Sequence, residues 1–193
     1  VLPGTYTARL SANGATESVP VVVVADPRVS ISDADRAAQV AFVAELRDAL
    51  NRLTDGVHQL RDLRDQLNTR NGALASNQTA ADLVAQSKTL MVKFDSLEAR
   101  MHNPKAEITY DILAFKGGSK LYSRLTPLYD WALDSDGAPT QGMRDVYADQ
   151  RKELDGYLAE LRTLIDRDLA AINALASRLG IGHVIVPGVR AIP

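Results

Sequence analysis

The chain of 193 residues has a formal charge of −2, with 46% hydrophobic and 24% charged residues, the balance of an ordinary globular protein able to bury a real core in one or two domains. There is no basic surplus to argue for nucleic acid and no cysteine for disulfides or thiolate metal sites. The longest apolar run, Val19 to Ala25, falls far short of the ~20 residues that span a bilayer.

The first ten residues read as a turn feeding a strand, with Tyr6, Ala8 and Leu10 alternating against Thr5, Thr7 and Arg9 as one buried face requires. Asn13-Gly14 is a hairpin turn signal, since both residues accept positive φ. The β-branched run Val21 to Val24 predicts a second strand. Two strands alone are marginal in water, and the chain opens with neither an initiator methionine nor a signal peptide. Residues 1–27 are therefore expected to be the terminal β-strands of a truncated immunoglobulin-like sandwich, and the chain the carboxy-terminal piece of a larger protein.

Asp26-Pro27-Arg28 marks a junction, because proline pushes Asp26 to an extended conformation. Residues 28–193 are expected to form a helical bundle with a short extended tail. Ser32 is the predicted cap of a first helix over Asp33 to about Asn68, ended by Asn71-Gly72. Its apolar stripe is Val43, Leu46, Leu50, Leu53, Val57, Leu60 and Leu67, interrupted by Arg64. A second helix, about Thr79 to His102, carries Leu83, Ser87, Leu90, Phe94, Leu97 and Met101 at heptad spacing. Ile108 to Ile112 suits either an extended segment or a helical turn. A third helix from near Ser119 carries Leu121, Leu125, Leu128 and Ala132, with a kink or break expected at Pro127. Thr140 caps a fourth that runs to about Leu179, with Leu154, Leu158, Leu161, Ile165, Leu169, Ile172, Leu175 and Leu179 inward and Gly180 closing it.

The expected fold is mainly α, an antiparallel four-helix bundle preceded by the hairpin. Strict alternation, down, up, down, up, would return Gly180 to the hairpin end. Val184-Ile185-Val186 is then expected to pack on, or pair beside, Thr5 to Leu10 or Val19 to Val24.

No residue set recommends an active site, and neither a cofactor nor a catalytic residue is expected. His58, His102 and His183 stand on different elements, with His102 placed as a cation at a helix C-terminus. Asp62 with Asp65, and Asp166 with Arg162 and Arg167, have the spacing of solvated helix faces. Gly117-Gly118-Ser119-Lys120 could cradle an anion but lacks the full phosphate-loop spacing, so a helix-entry turn is favoured. Tyr122, Tyr129 and Trp131 cluster around Pro127. Core packing is the favoured reading there, and they are the candidate partner contact should they prove exposed.

Pro3-Gly4-Thr5-Tyr6-Thr7-Ala8-Arg9-Leu10, the valine strand and Asp26-Pro27-Arg28-Val29 together resemble the end of large bacterial exported proteins. Those carry a β-propeller of sortilin-like or Asp-box repeats and are commonly labelled glycosyl hydrolases. Leu46 to Arg52, Ala138-Pro139-Thr140 and Asp168 to Asn173 match the family's helical tail in kind. The resemblance implies a periplasmic or extracellular protein whose glycosidase-like machinery lies in the propeller, since no Asp-box is present here. The chain is then a non-catalytic module whose partners are the upstream domains of its own parent, a second copy or another protein. Two alternatives stand beside it: a helical adaptor that binds a partner, and an accessory part of a glycosidase site, which needs two carboxylates roughly 5–9 Å apart across one cleft.

Overall fold

A computed structural model describes residues 1–106 and 117–187. The segment Ile108 to Ile112 and the chain beyond Pro187 lie outside the described residues. The structure is mainly helical, with one two-stranded antiparallel hairpin.

Strands β1 (Gly4–Ala12) and β2 (Ala15–Val23) meet at Asn13-Gly14, whose φ values of 50° and 79° make the two-residue turn that follows strand twist. The register pairs Tyr6 with Val21, Ala8 with Val19 and Leu10 with Glu17. Because side chains alternate, Tyr6, Ala8, Leu10, Glu17, Val19 and Val21 share one face, and Thr5, Thr7, Arg9, Ser18, Pro20 and Val22 share the other. At the junction, the Asp26 carboxylate accepts from the Arg28 backbone N–H (2.9 Å) and guanidinium (2.7 Å). These bonds close a tight turn and hold that carboxyl below its ordinary range.

The first helix, α1 (Asp33–Ala73), has 41 residues and is about 62 Å long. Ser32 caps it, accepting from the Asp35 N–H at 3.1 Å. It continues past the expected stop at Asn68. Its buried face holds Phe42, Leu46, Ala49, Leu53, Leu60, Leu63 and Leu67. Leu63 fills the place in the stripe that Arg64 interrupts. After a short 3₁₀ turn, α2 (Ala81–Met101) buries Leu83, Ser87, Leu90, Phe94, Leu97 and Met101, the heptad set in full. The third helix, α3 (Leu121–Leu133), buries Leu121, Leu125, Leu128 and Ala132 and stays helical through Pro127 without the expected break. Thr140 caps α4 (Gln141–Thr163), accepting from the Met143 N–H at 3.2 Å. A π-helical turn (Leu164–Leu169) joins α4 without interruption to α5 (Ala170–Arg178). The wider turn rotates the inward face, so Leu164, Leu169, Ile172 and Ala176 are buried while Leu175 is only partly covered and Leu179 is exposed.

The helices do not alternate up and down. Arg61 and Arg64 of α1 meet Glu98 of α2, and Arg70 meets Ser87, so α2 runs antiparallel to the distal half of α1. Gln39, near the start of α1, donates to the carbonyls of Ala132 and Ser135 at the end of α3, so α3 runs antiparallel to the proximal half. Thus α2 and α3 point the same way and follow one another end to end. Helix α4 runs parallel to α1, with Tyr147 against Glu45 and Asp155 against Arg52. Among the described residues the helical body has three rods: α1, the α2–α3 tandem, and α4–α5. Length explains the arrangement, since helices of 21 and 13 residues, about 51 Å together, are both needed to cover one of 41.

The expected contact between tail and hairpin is therefore absent. Gly180, with φ +66°, closes α5 at the distal end, and the Ile181 N–H returns to the Ala176 carbonyl at 2.9 Å. The tail then runs back beside α1, where Gln66 bonds Ile185 and Gln59 bonds Pro187. Gln66 lies 33 residues, about 50 Å, along α1 from the hairpin end.

Candidate functional site

The aromatic residues expected to act together are separated by helix geometry. At 100° per residue, Tyr129 and Trp131 point about 200° apart. Tyr122 stacks edge-on against His102 with ring centroids 5.6 Å apart, and Tyr129 is half-buried against the core. Trp131 is 67% exposed on the opposite flank of α3, so it is not a core residue. It borders a groove of about 390 Å³ between α3 and α4, with Pro127, Leu128, Met143 and Val146 as its apolar lining. The buried Gln150 closes that groove, and its side-chain oxygen has no hydrogen-bond partner among the described residues.

A second groove, about 550 Å³, lies between α1 and α4. Leu158, Leu161 and Ile165 form its floor, and Val186 of the tail enters it. Asp55, Asp155 and Asp166 line it, interleaved with Arg52 and Arg162. Asp155 is engaged by Arg52 at 2.6 Å. Gly56 lets the two helices approach, since a Cβ there would stand 2.8 Å from Leu158 Cδ2.

Asp62 and Asp65 are exposed, as a solvated face requires. His58 is exposed on α1, and His183 meets the Ser177 hydroxyl at 2.5 Å. His102 stands at the C-terminal cap of α2, as expected, but burial, reinforced by the nearby Arg61 and opposed by Glu98, pushes its imidazole below the ordinary value. No group of three or more His, Asp or Glu among the described residues is placed to hold a metal ion. No helix among them is long and apolar enough to cross a membrane. Gly117 and Gly118, with φ of 108° and 71°, form the turn into α3, and the Gly118 carbonyl accepts from the Asn103 side chain at 3.1 Å.

The most developed electrostatic feature was not anticipated. Glu98 of α2 has a side chain only 4% exposed and accepts from Arg61 at 2.5 Å and from Arg64 at 3.0 Å. Arg64 breaking the stripe of α1 was the available signal, and its partner 34 residues away was not. A lesser cluster joins α3 to α4. Burial alone would raise the Glu153 carboxyl, but hydrogen bonds from Arg124 (2.7 Å) and Tyr157 (2.6 Å) outweigh it and hold the group below its usual range. Both arrangements fix helices against each other, and neither aims a free nucleophile, acid or base into a groove. Compared with models of protein families, with curated proteins and with solved structures, the chain matches none.

Proposed function

We infer that the chain is a non-catalytic structural and interaction module, in which the hairpin completes an immunoglobulin-like sandwich and the helices form a rigid docking body. The observation that carries this reading is the hairpin's bare apolar face. Tyr6, Leu10, Val19 and Val21 stand together on it with 41%, 70%, 58% and 43% of their surfaces exposed. This face is the more apolar of the two, since Glu17 is its one charge and Val22 and Pro20 stand among Thr5, Thr7, Arg9 and Ser18 on the other. Exposed apolar strand residues are the pattern of strands that cover a core, and a lone strand pair is marginal in water. The resemblance supplies the setting, an exported bacterial propeller protein whose sandwich ends in this strand pair. The groove bordered by Trp131 is then the surface where the helical body meets other domains of that parent.

Hydrogen exchange tests the reading. Amides of β1 and β2 should exchange far faster than those of central α1, and Val21→Asp should leave helical unfolding within about 0.5 kcal/mol of the unaltered chain. Slow exchange throughout the hairpin, or a large loss of helical stability in Val21→Asp, would show that this face is already covered and end the proposal. The non-catalytic part is tested separately with nitrophenyl glycosides, on which no turnover is expected. Turnover that disappears on Asp62→Asn or Asp166→Asn would establish an enzyme instead.

A further inference from the structure

The tail from Ile181 to Pro187 is held as a ligand is held. Its carbonyls meet Arg70 at Gly182, Gln66 at Ile185 and Gln59 at Pro187. Those contacts cover 11 residues of α1, about 16 Å, in five residues of tail, or about 3.3 Å per residue, the rise of an extended strand.

Two side-chain amides read its main chain from opposite sides. Asn173 of α5 accepts from the Val184 N–H at 3.0 Å and donates to the Val184 carbonyl at 2.9 Å. Gln66 of α1 does the same at the next residue, accepting from the Ile185 N–H at 2.8 Å and donating to its carbonyl at 2.9 Å. In a strand, the N–H and C=O of one residue point to one edge and those of the next to the other. Asn173 and Gln66 thus stand where two neighbouring strands would be. Side chains alternate perpendicular to that plane: Val184 is buried, and Ile185 is 73% exposed. Recognition is by main chain at two successive residues and by burial of one small apolar side chain against the core, the division of labour of strand-capture sites. The connection is a short glycine-bearing turn, Gly180 to Gly182, in which a Cβ at either glycine would meet nothing within 4 Å.

We propose that the cleft between α1 and α4–α5 is a binding site for an extended peptide segment of a partner protein, and that residues 181–187 are its resident occupant, displaced when the partner binds. The ligand class follows from the contacts. It is an extended segment with a small β-branched residue, uncharged, at the Val184 position, free N–H and C=O groups there and at the next residue, and no side-chain requirement at that next residue. This site is independent of the hairpin, so either proposal can fail without the other.

The test uses a fluorescein-labelled synthetic peptide with the sequence of residues 180–187, titrated by anisotropy into the full chain and its variants. Ile185→Pro removes the N–H that Gln66 accepts and alters only an exposed side chain, which loosens the tail while substituting no core residue. The peptide should bind Ile185→Pro at least tenfold more tightly than the unaltered chain, because the internal competitor is weakened. Val184→Asp should act in the same direction. Adding Gln66→Ala to Ile185→Pro should reverse the gain tenfold or more while circular dichroism shows the same helicity. Equal binding by all of these chains, or binding by none, would overturn the proposal. A concentration-dependent dimer of the unaltered chain that Val184→Asp abolishes would assign the occupant to a second copy and overturn the partner.

Discussion

Leu97→Ala is expected to cost about 2–5 kcal/mol of unfolding free energy, and Leu90→Ala a similar amount. Both side chains are essentially inaccessible and lie on the face of α2 that packs into the core, so truncation leaves a cavity. Lys93, between them in sequence, faces outward and pairs with Asp168 of the π turn at 2.5 Å. Lys93→Ala should cost ~1 kcal/mol or less, since the lysine is nearly half exposed and Arg167 also holds that carboxylate at 2.7 Å. Urea unfolding followed by circular dichroism separates the cases. Equal small effects at all three positions would mean that α2 lies loosely on the surface.

Removing both arginines that face Glu98 should be comparably damaging. In Arg61→Ala/Arg64→Ala the carboxylate stays beneath the α1–α2 contact with neither of the charges that balance it, a loss of about 3–5 kcal/mol for an uncompensated buried ion. Either single substitution should cost much less, because the remaining arginine still reaches a carboxylate oxygen. Adding Glu98→Met to the double variant should restore most of the loss, as an apolar side chain of similar length needs no partner. A double variant as stable as the unaltered chain would mean that Glu98 escapes to water. Failure of Glu98→Met to rescue it would mean that the arginines act through packing of their stems.

The local elements were legible in the sequence because their causes are local. Asn13-Gly14, Ser32, Thr140 and Gly180 do at the strand turn and helix ends what their own side chains, or lack of one, dictate within a few positions. The inward faces of α2 and α3 follow from spacing alone, since periodicity fixes which side of a helix is apolar. Direction and neighbour are a different matter, because an apolar stripe is the same read up or down. Only the packed structure shows that α2 and α3 share one direction, a consequence of their length against α1 that strict alternation ignores. That reversal carries the tail to the distal end and into the clasp of Gln66 and Asn173, two amides more than 100 residues apart that no local pattern connects. The same limit hid the partner of Arg64 and placed Trp131 at the surface: which flank of a helix is covered depends on where the next helix lies, and that is set by the tertiary fold.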